Sequence, residues 1–243
     1  MMRQNIYDDP TFFEYYKELR STGITFNDFV EQPALKALLP DLKGLKILDM
    51  GCGFGKLAVS MVEQGAEHVT GADISSKMLS LAPKIPQITY IHTPIEELDF
   101  EAASFDLIVS SLAFHYVADY DRLMGQIAKW LRPEGTLVFS TEHPITTAKL
   151  DMEGWVEDEQ GERLYYAVDN YGEEGQRSTH WVVDNVIKYH RKVSTLVNGM
   201  IAHGLIVQQI EEPESIPEGL EKMPKLVHER RKPSFILFKA VKL

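Results

Sequence analysis

The run Asp49-Met50-Gly51-Cys52-Gly53-Phe54-Gly55, directly after the apolar stretch Lys46-Ile47-Leu48, limits the fold more than any other feature of the chain. Three alternating glycines let a backbone turn sharply from strand to helix and press against a ligand where a Cβ would intrude. In open α/β sheets such a turn lies at the carboxyl end of the first strand, where ligands bind. Asp73 ends a second β-rich run, His68-Val69-Thr70-Gly71-Ala72-Asp73. An acid about twenty residues past the glycine turn can accept hydrogen bonds from both ribose hydroxyls of a nucleoside. The dinucleotide fingerprint requires its third glycine where this chain has Lys56, which counts against NAD or FAD. An NAD-dependent oxidoreductase is therefore only a remote alternative.

Strand-like and helix-like runs alternate from about residue 44 to 142, the pattern of a parallel sheet with crossover helices. Further strands are expected at Ile88-Thr89-Tyr90-Ile91-His92, at Phe105-Asp106-Leu107-Ile108-Val109-Ser110 and at Thr136-Leu137-Val138-Phe139-Ser140-Thr141. Near-continuous apolar character suits strands buried on both faces. Residues 145–187 carry charge, glycine and aromatics without a helical period, as a lid or binding loop would. A helix is expected over about 187–202. Two late strands follow, 205–210 and 234–240, joined without a long helix as an antiparallel hairpin at one edge. The fold class expected is α/β: a seven-stranded doubly wound sheet, mostly parallel with an antiparallel C-terminal hairpin strand, and with a cap inserted after the fifth strand. Residues 1–43 form an N-terminal helical segment, 44–243 the main domain, and 145–187 an inserted lid or substrate-binding segment.

With 25 Lys and Arg against 36 Asp and Glu, the formal charge is -11. That balance opposes binding to nucleic acid or to anionic membranes, both of which draw on clustered cations. The single cysteine excludes an internal disulfide. No stretch has the length of a signal peptide or of a membrane span. The expected location is cytoplasmic, and the partners are a small-molecule substrate and, as one use of the inserted segment, a second copy in a homodimer.

The run Ile47-Leu48-Asp49-x-Gly51-x-Gly53-x-Gly55 followed by Asp73 resembles the class I S-adenosylmethionine-dependent methyltransferases. The likeness extends over about residues 44–143, through Glu96-Glu97-Leu98-Asp99-Phe100, Ser104 to Ser111, and Leu131-Arg132-Pro133-Glu134-Gly135-Thr136-Leu137. The resemblance implies the methyltransferase version of the fold. It implies S-adenosylmethionine as cofactor and S-adenosylhomocysteine as product. On the same basis Asp49 and the amides around Gly51, Cys52 and Gly53 hold the methionine part, and Asp73 holds the ribose. Ile74 and Met78 pack on the adenine, while Ser110 and Leu112 floor the site. Many relatives carry an Asp before the third-strand loop; here Pro94-Ile95-Glu96 stands there, leaving the Ile95 amide to meet the ring. In similar enzymes an N-terminal helix folds over the cofactor, which points to Tyr15, Tyr16 and Arg20. The same spacing also suits a helix packed by its aromatic stripe.

Methyl transfer needs alignment and, for a protonated acceptor, a base; it needs no covalent intermediate. Cys52 therefore has a packing or backbone role. After the fourth strand stands Ser110-Ser111-Leu112-Ala113, without the Asn-or-Asp-Pro-Pro-aromatic signature of amino methyltransferases or the Pro-Cys pair of cytosine enzymes. Phe114-His115-Tyr116 resembles this region in enzymes of quinone, biotin-precursor and natural-product methylation. The expected reaction is transfer to O, N or C of a small molecule; a non-catalytic S-adenosylmethionine sensor or partner subunit is the alternative. His115 and His143 are candidate bases, since histidine titrates near neutrality, with His180 and His190 behind them. Substrate contacts are expected from His115, Tyr116, His143, Tyr171, His180, Trp181, His190 and Arg191, the last through a carboxylate. Each has a structural alternative: a satisfied histidine, a surface subdomain, an internal ion pair. The histidine spacings match no common metal site, and none is expected.

Overall fold

The computed structural model of the chain describes residues 4–243; the first three residues of the expected N-terminal segment lie outside the described residues. Helix α1 (Pro10–Ser21) opens where Asp9 accepts from the amides of Thr11 and Phe12 at 2.9 and 3.0 Å, with Pro10 in the first turn. A side-chain cap of this kind satisfies donors that the first turn leaves orphaned, and proline suits a first-turn place where no donor is needed. A π-helical turn (Asn27–Glu31) leads into α2 (Gln32–Leu38). Then strands and helices alternate: β1 (Lys46–Met50), α3 (Lys56–Glu63), β2 (His68–Asp73), α4 (Ser76–Ser80), β3 (Ile88–His92), β4 (Phe105–Ser110), α5 (Tyr120–Trp130) and β5 (Leu131–Glu142).

After the short α6 (Pro144–Thr147) come two hairpins, β6 (Trp155–Glu157) with β7 (Arg163–Tyr166), and β8 (Gly175–Trp181) with β9 (Val183–His190). The chain closes with α7 (Val193–Ala202), β10 (Leu205–Glu211), α8 (Pro217–Lys222) and β11 (Phe235–Lys242). The main sheet has seven strands in the order β10-β11-β5-β4-β1-β2-β3. β1, β2, β3, β4 and β5 pair in parallel, whereas β11 runs antiparallel to both β5 and β10. This is the seven-stranded, mostly parallel sheet expected from the sequence.

Strand side chains alternate between two apolar layers, as a period of two requires. Leu48, Ile108, Phe139 and Phe238 join α5 and α7 residues such as Ile127, Trp130 and Met200 on one face. Their neighbours Ile47, Leu107, Val138 and Leu237 join Leu35, Leu38, Leu57 and Met61 of α2 and α3 on the other. Burial on both faces explains why these strands read as unbroken apolar runs. Each such fully buried side chain contributes about 1.5–3 kcal/mol. Strand order reverses between β1 and β4, which opens a crevice at their carboxyl ends beside the glycine turn.

Residues 145–187 are more regular than their composition suggests, because two antiparallel ladders organise them without a helical period. The expected helix over 187–202 is shorter: Ile187–His190 belong to β9, where Ile187 faces Ser178 and Tyr189 faces Gln176. Alternating exposure along Val-Ile-Lys-Tyr-His outweighed the apolar run that followed it. A third apolar cluster, Ile6, Phe12 and Val186 with Tyr7, Tyr16, Tyr116 and Trp181 against it, joins the N-terminal segment to the second hairpin. The Gln4 side chain brackets that hairpin, donating to the Asn185 carbonyl at 2.6 Å and accepting from the Ile187 amide at 2.8 Å.

Candidate active site

The glycine turn is held open by conformation and by Asp73. Gly51, Gly53 and Gly55 all have left-handed backbones, with φ of 78°, 55° and 76°. A Cβ on Gly51 would lie 2.6 Å from that of Ala113, so no larger residue fits. Gly55 leads into α3, its face covered by the Tyr90 ring. The Gly53 amide donates to Asp73 Oδ2 and the Ser75 amide to Oδ1, both at 2.8 Å. Asp73 thus braces the turn from the end of β2, and each carboxylate oxygen keeps acceptor capacity for a ligand hydroxyl.

Beneath the turn lies a cluster of buried carboxyl groups. Asp49 is 1% exposed, and its Oδ2 has no hydrogen-bond partner among the described residues. Burial, with Asp73 and Glu31 nearby, pushes its carboxyl up to about 8. Glu31 is fully buried and accepts from the hydroxyls of Ser111 and Ser140 at 2.9 and 2.5 Å and from Gln32 at 2.8 Å. Burial also raises the carboxyls of Glu31 and Asp73. Cys52 is buried as well, which raises its thiol and keeps it from acting as a nucleophile.

The N-terminal segment is fastened over this floor. Asp8 accepts from the Ser75 hydroxyl at 2.6 Å and from the Lys77 amide at 3.1 Å. Asn5 donates to the Ile74 carbonyl at 3.0 Å, and His92 Nε2 meets the same oxygen at 2.9 Å. Arg20 contacts Thr25 at 3.2 Å and lies 3.9 Å from Asp28, which also pairs with Lys56 at 3.2 Å.

A cavity of about 880 Å³ connects these parts. Tyr16, Arg20, Asp49, Gly51, Cys52, Gly53, Asp73, Ile74, Met78, Pro94, Ile95, Glu96 and Leu112 all line it. Ser110 does not: it is fully buried and donates to the Met50 carbonyl at 2.8 Å, fixing β4 to β1. The cavity continues past His115 and Tyr116 to a second lobe with Tyr7, Trp181, Tyr189 and Glu142 in its wall. The Tyr7 ring meets those of Phe12, Tyr16 and Tyr116 edge-on, and Trp181 meets Tyr16 in the same way.

His115 is 4% exposed, and burial depresses its imidazole to about 4, so it is neutral at physiological pH. Its Nδ1 lies 3.4 Å from the Glu142 amide and can only accept there, which places the proton on Nε2. In that tautomer His115 presents a donor rather than a base.

Several residues expected at the substrate lie elsewhere. His143 caps α6, its Nδ1 accepting from the Ile145 amide at 3.1 Å while Nε2 donates to Glu212 at 2.6 Å. It does not line the cavity, because the chain turns away from the sheet at Pro144. His190 is fully buried between the Thr147 hydroxyl at 2.8 Å and the Tyr171 carbonyl at 3.0 Å. The Tyr171 ring meets that of His190 edge-on, and its hydroxyl accepts from the Val193 amide at 3.2 Å. His180 is exposed and pairs with Asp184 at 2.7 Å. Arg191 donates to the carbonyls of Val117 and Ala118 and lies 5.2 Å from the centre of the Tyr120 ring. Arg191 thus ties the cap to the core, whereas His190, Tyr171 and His180 make contacts within the inserted segment and its flanks. Of the substrate residues expected, His115, Tyr116 and Trp181 reach the cavity.

Sequence reasoning missed Tyr7, Asp8, Glu31 and Glu142. The sign for Glu31 is an acid inside the apolar run Phe29-Val30; for Asp8 it is a capping residue with no helix of its own directly after it. Glu142 ends β5, a place as close to the crevice as that of His143.

The first lobe suits S-adenosylmethionine. A glycine cradle that a Cβ would fill, an orphaned buried carboxyl oxygen on Asp49 for the ammonium of the amino acid end, and the doubly braced Asp73 all fit its parts. Among the described residues no group of His, Cys, Asp and Glu is placed to hold a metal ion, and no helix is long and apolar enough to cross a membrane.

Comparison with known proteins agrees with this geometry. The family described as a methyltransferase domain matches residues 48–139. An S-adenosylmethionine dependent methyltransferase from Mesorhizobium loti has a crystal structure that superposes with a TM-score of 0.81 at 40% identity, covering 87% of this chain and 97% of that one. A Haemophilus influenzae protein of uncharacterized function is 39% identical over 218 residues, 86% of each chain. The ubiquinone biosynthesis O-methyltransferase of Idiomarina loihiensis is 39% identical over 106 residues, 41% of this chain and 43% of its own. With its seven-stranded sheet and its glycine cradle braced by Asp73, the chain belongs to the class I S-adenosylmethionine-dependent methyltransferases.

Proposed function

We propose that the acceptor is a small molecule, methylated on O, N or C while enclosed in the second lobe of the cavity. The observation that carries this reading is the continuity of one cavity from the glycine cradle to an aromatic lobe roofed by the N-terminal segment and the β8–β9 hairpin. A roof of this kind suits a compact acceptor better than a polymer, and a charge of -11 opposes nucleic acid.

S-adenosylmethionine supplies the methyl as an activated sulfonium: the acceptor's lone pair bonds to the methyl carbon as the carbon–sulfur bond breaks, leaving S-adenosylhomocysteine. The chain's own task is to orient and to exclude water. In this reading Asp73 receives the ribose hydroxyls, and Ile74 and Met78 pack on the adenine beside Pro94, Ile95 and Glu96. Asp49, Tyr16, Arg20 and the turn amides hold the amino acid end, and Leu112 forms the floor. Residues 145–187 serve as the cap, with Trp181 reaching inward.

Incubation with methyl-labelled cofactor and a metabolite extract tests the proposal. Label is expected in a product of low molecular mass. Label confined to protein or nucleic acid overturns the small-molecule assignment, and no transfer to any fraction favours a non-catalytic binding role.

A further inference from the structure

We propose that the side-chain oxygen of Gln32 receives a hydrogen bond from the atom that is methylated, so that the acceptor presents a neutral O–H or N–H there rather than a carboxylate or a carbon. The inference rests on the acceptor being a small molecule held in the cavity, and it deepens that reading by naming the reacting group.

Glu31 and Gln32 stand where the π-helical turn passes into α2, a kind of junction frequent at functional sites. Glu31 is fully buried against the ends of β4 and β5, whereas Gln32 is half-buried and lines the cavity. The Gln32 amide nitrogen donates to Glu31 Oε2 at 2.8 Å and to the Ser111 hydroxyl at 3.1 Å. A carboxylate oxygen takes only donors, so the nitrogen of the amide faces Glu31 and its oxygen is turned away. That oxygen has no partner among the described residues and is not among their buried unpartnered atoms. It therefore lies open where Gln32 meets the cavity.

The neighbouring hydroxyls have no proton to spare. Ser111 and Ser140 each give theirs to Glu31 Oε1, at 2.9 and 2.5 Å, and the Ser140 oxygen accepts from the Leu112 amide at 3.0 Å. Leu112, held there with a left-handed φ of 53°, lines the cavity floor directly after Ser111. Together these side chains offer one fixed acceptor and no free donor. An O–H or N–H completes the set, whereas a carboxylate or a carbon leaves the Gln32 oxygen unmatched once water is displaced. Arg122 and Lys225 also line the cavity, as exposed cations; they remain able to hold an anionic group of the acceptor away from the reacting atom.

An amide oxygen accepts a hydrogen bond without taking the proton. It aims the lone pair of O or N at the methyl carbon. The new bond forms as the carbon–sulfur bond breaks, and the proton then passes from the methylated product to water.

The test uses the full chain with methyl-labelled S-adenosylmethionine and a metabolite extract. Label is expected in a product that withstands mild alkali, which cleaves methyl esters to methanol. The same product should yield methyl iodide in hot hydriodic acid, as ethers and methylamines do and a carbon-bound methyl does not. Gln32→Met removes the oxygen at nearly constant length and should raise the half-saturating extract concentration about fivefold or more. S-adenosylhomocysteine affinity should stay within about twofold. Gln32→Lys gives Glu31 a donor again but no acceptor oxygen to the cavity, and should show the same defect. An unchanged half-saturation in Gln32→Met overturns the proposal. Recovery in Gln32→Lys does so too, since Gln32 would then serve only to support Glu31. So does an alkali-labile or carbon-bound label, and so does an equal loss of S-adenosylhomocysteine affinity, which would give the oxygen to the cofactor. In each of these cases transfer to a small molecule persists and only this inference falls. No transfer at all by the unaltered protein removes the acceptor, and this inference with it.

Discussion

Asp8 helps cap α4 from 67 residues before its N-cap Ser75, its Oδ1 accepting from the Ser75 hydroxyl at 2.6 Å and from the Lys77 amide at 3.1 Å. Asp8→Ala removes this cap and loosens the N-terminal segment from the loop that follows β2. A loss of about 1–2 kcal/mol of stability is expected, the usual range for a helix cap. Burial works against the Asp8 charge, but the Ser75, Lys77 and Asn5 donors outweigh it and hold the carboxyl below its ordinary value. A depressed native pKa gives stability that is present above the unfolded pKa and lost as pH falls through the folded one. The difference between Asp8→Ala and the unaltered protein should therefore fade in acid, which denaturant titration at several pH values reads.

Gly51→Ala meets two separate obstacles, a left-handed φ of 78° and a Cβ 2.6 Å from Ala113. A backbone residue forced into that region costs about 1–3 kcal/mol before any clash. Adding Ala113→Gly relieves the clash but not the strain, so partial recovery of stability and of cofactor affinity is expected. Full recovery would show that the close approach is the whole effect, and none would locate it in the backbone.

The Asp49 carboxyl, pushed up to about 8 by burial, Asp73 and Glu31, holds its proton in the folded protein across a range where the unfolded chain has released it. The unfolded state then binds fewer protons, so the stability of the ligand-free protein should decline as pH rises from about 4 towards 8. The ammonium at the amino acid end, shared by S-adenosylmethionine and S-adenosylhomocysteine, favours the ionised form. The affinity of both should therefore rise with pH from about 6 towards about 8, by calorimetry. Asp49→Asn should flatten both trends.

His143→Ala deletes the cap on α6 and the contact with Glu212. The expected outcome is a lower melting temperature, with a loss of about 1 kcal/mol, and cofactor affinity within about twofold of the unaltered value. A large change in turnover at unchanged stability would restore His143 to the reaction.

The cofactor half of the site was legible because its determinants are local. A left-handed turn admits glycine, strand ends admit acids, and both appear at fixed spacing along Gly51, Gly53, Gly55 and Asp73. The buried strands were legible for a related reason, since Leu107-Ile108-Val109 and Leu137-Val138-Phe139 serve two apolar layers at once. The acceptor half was not, because its wall depends on side chains brought together from distant segments. His143 and Glu142 are adjacent in sequence and go to different places, because β5 ends at Glu142 and the chain turns into α6 at His143, a distinction that composition cannot make. Tyr171, His190 and Arg191 looked like ligand contacts because buried polar groups need partners wherever they are. Here the partners are the Thr147 hydroxyl and the Tyr171 carbonyl within the cap and the Ala118 carbonyl of the core.

The bracket formed by Gln4 on Asn185 and Ile187 has a bearing on biosynthesis. The strands that carry the glycine cradle are complete once Glu142 has been made, yet the roof needs residues from both sides of that point. A nascent chain can therefore have its five parallel strands in hand while the N-terminal segment still waits for the hairpin that will hold it. Closure over the cavity follows the synthesis of Val183–His190, and a ribosome stalled before Val183 would display a cradle with no ceiling.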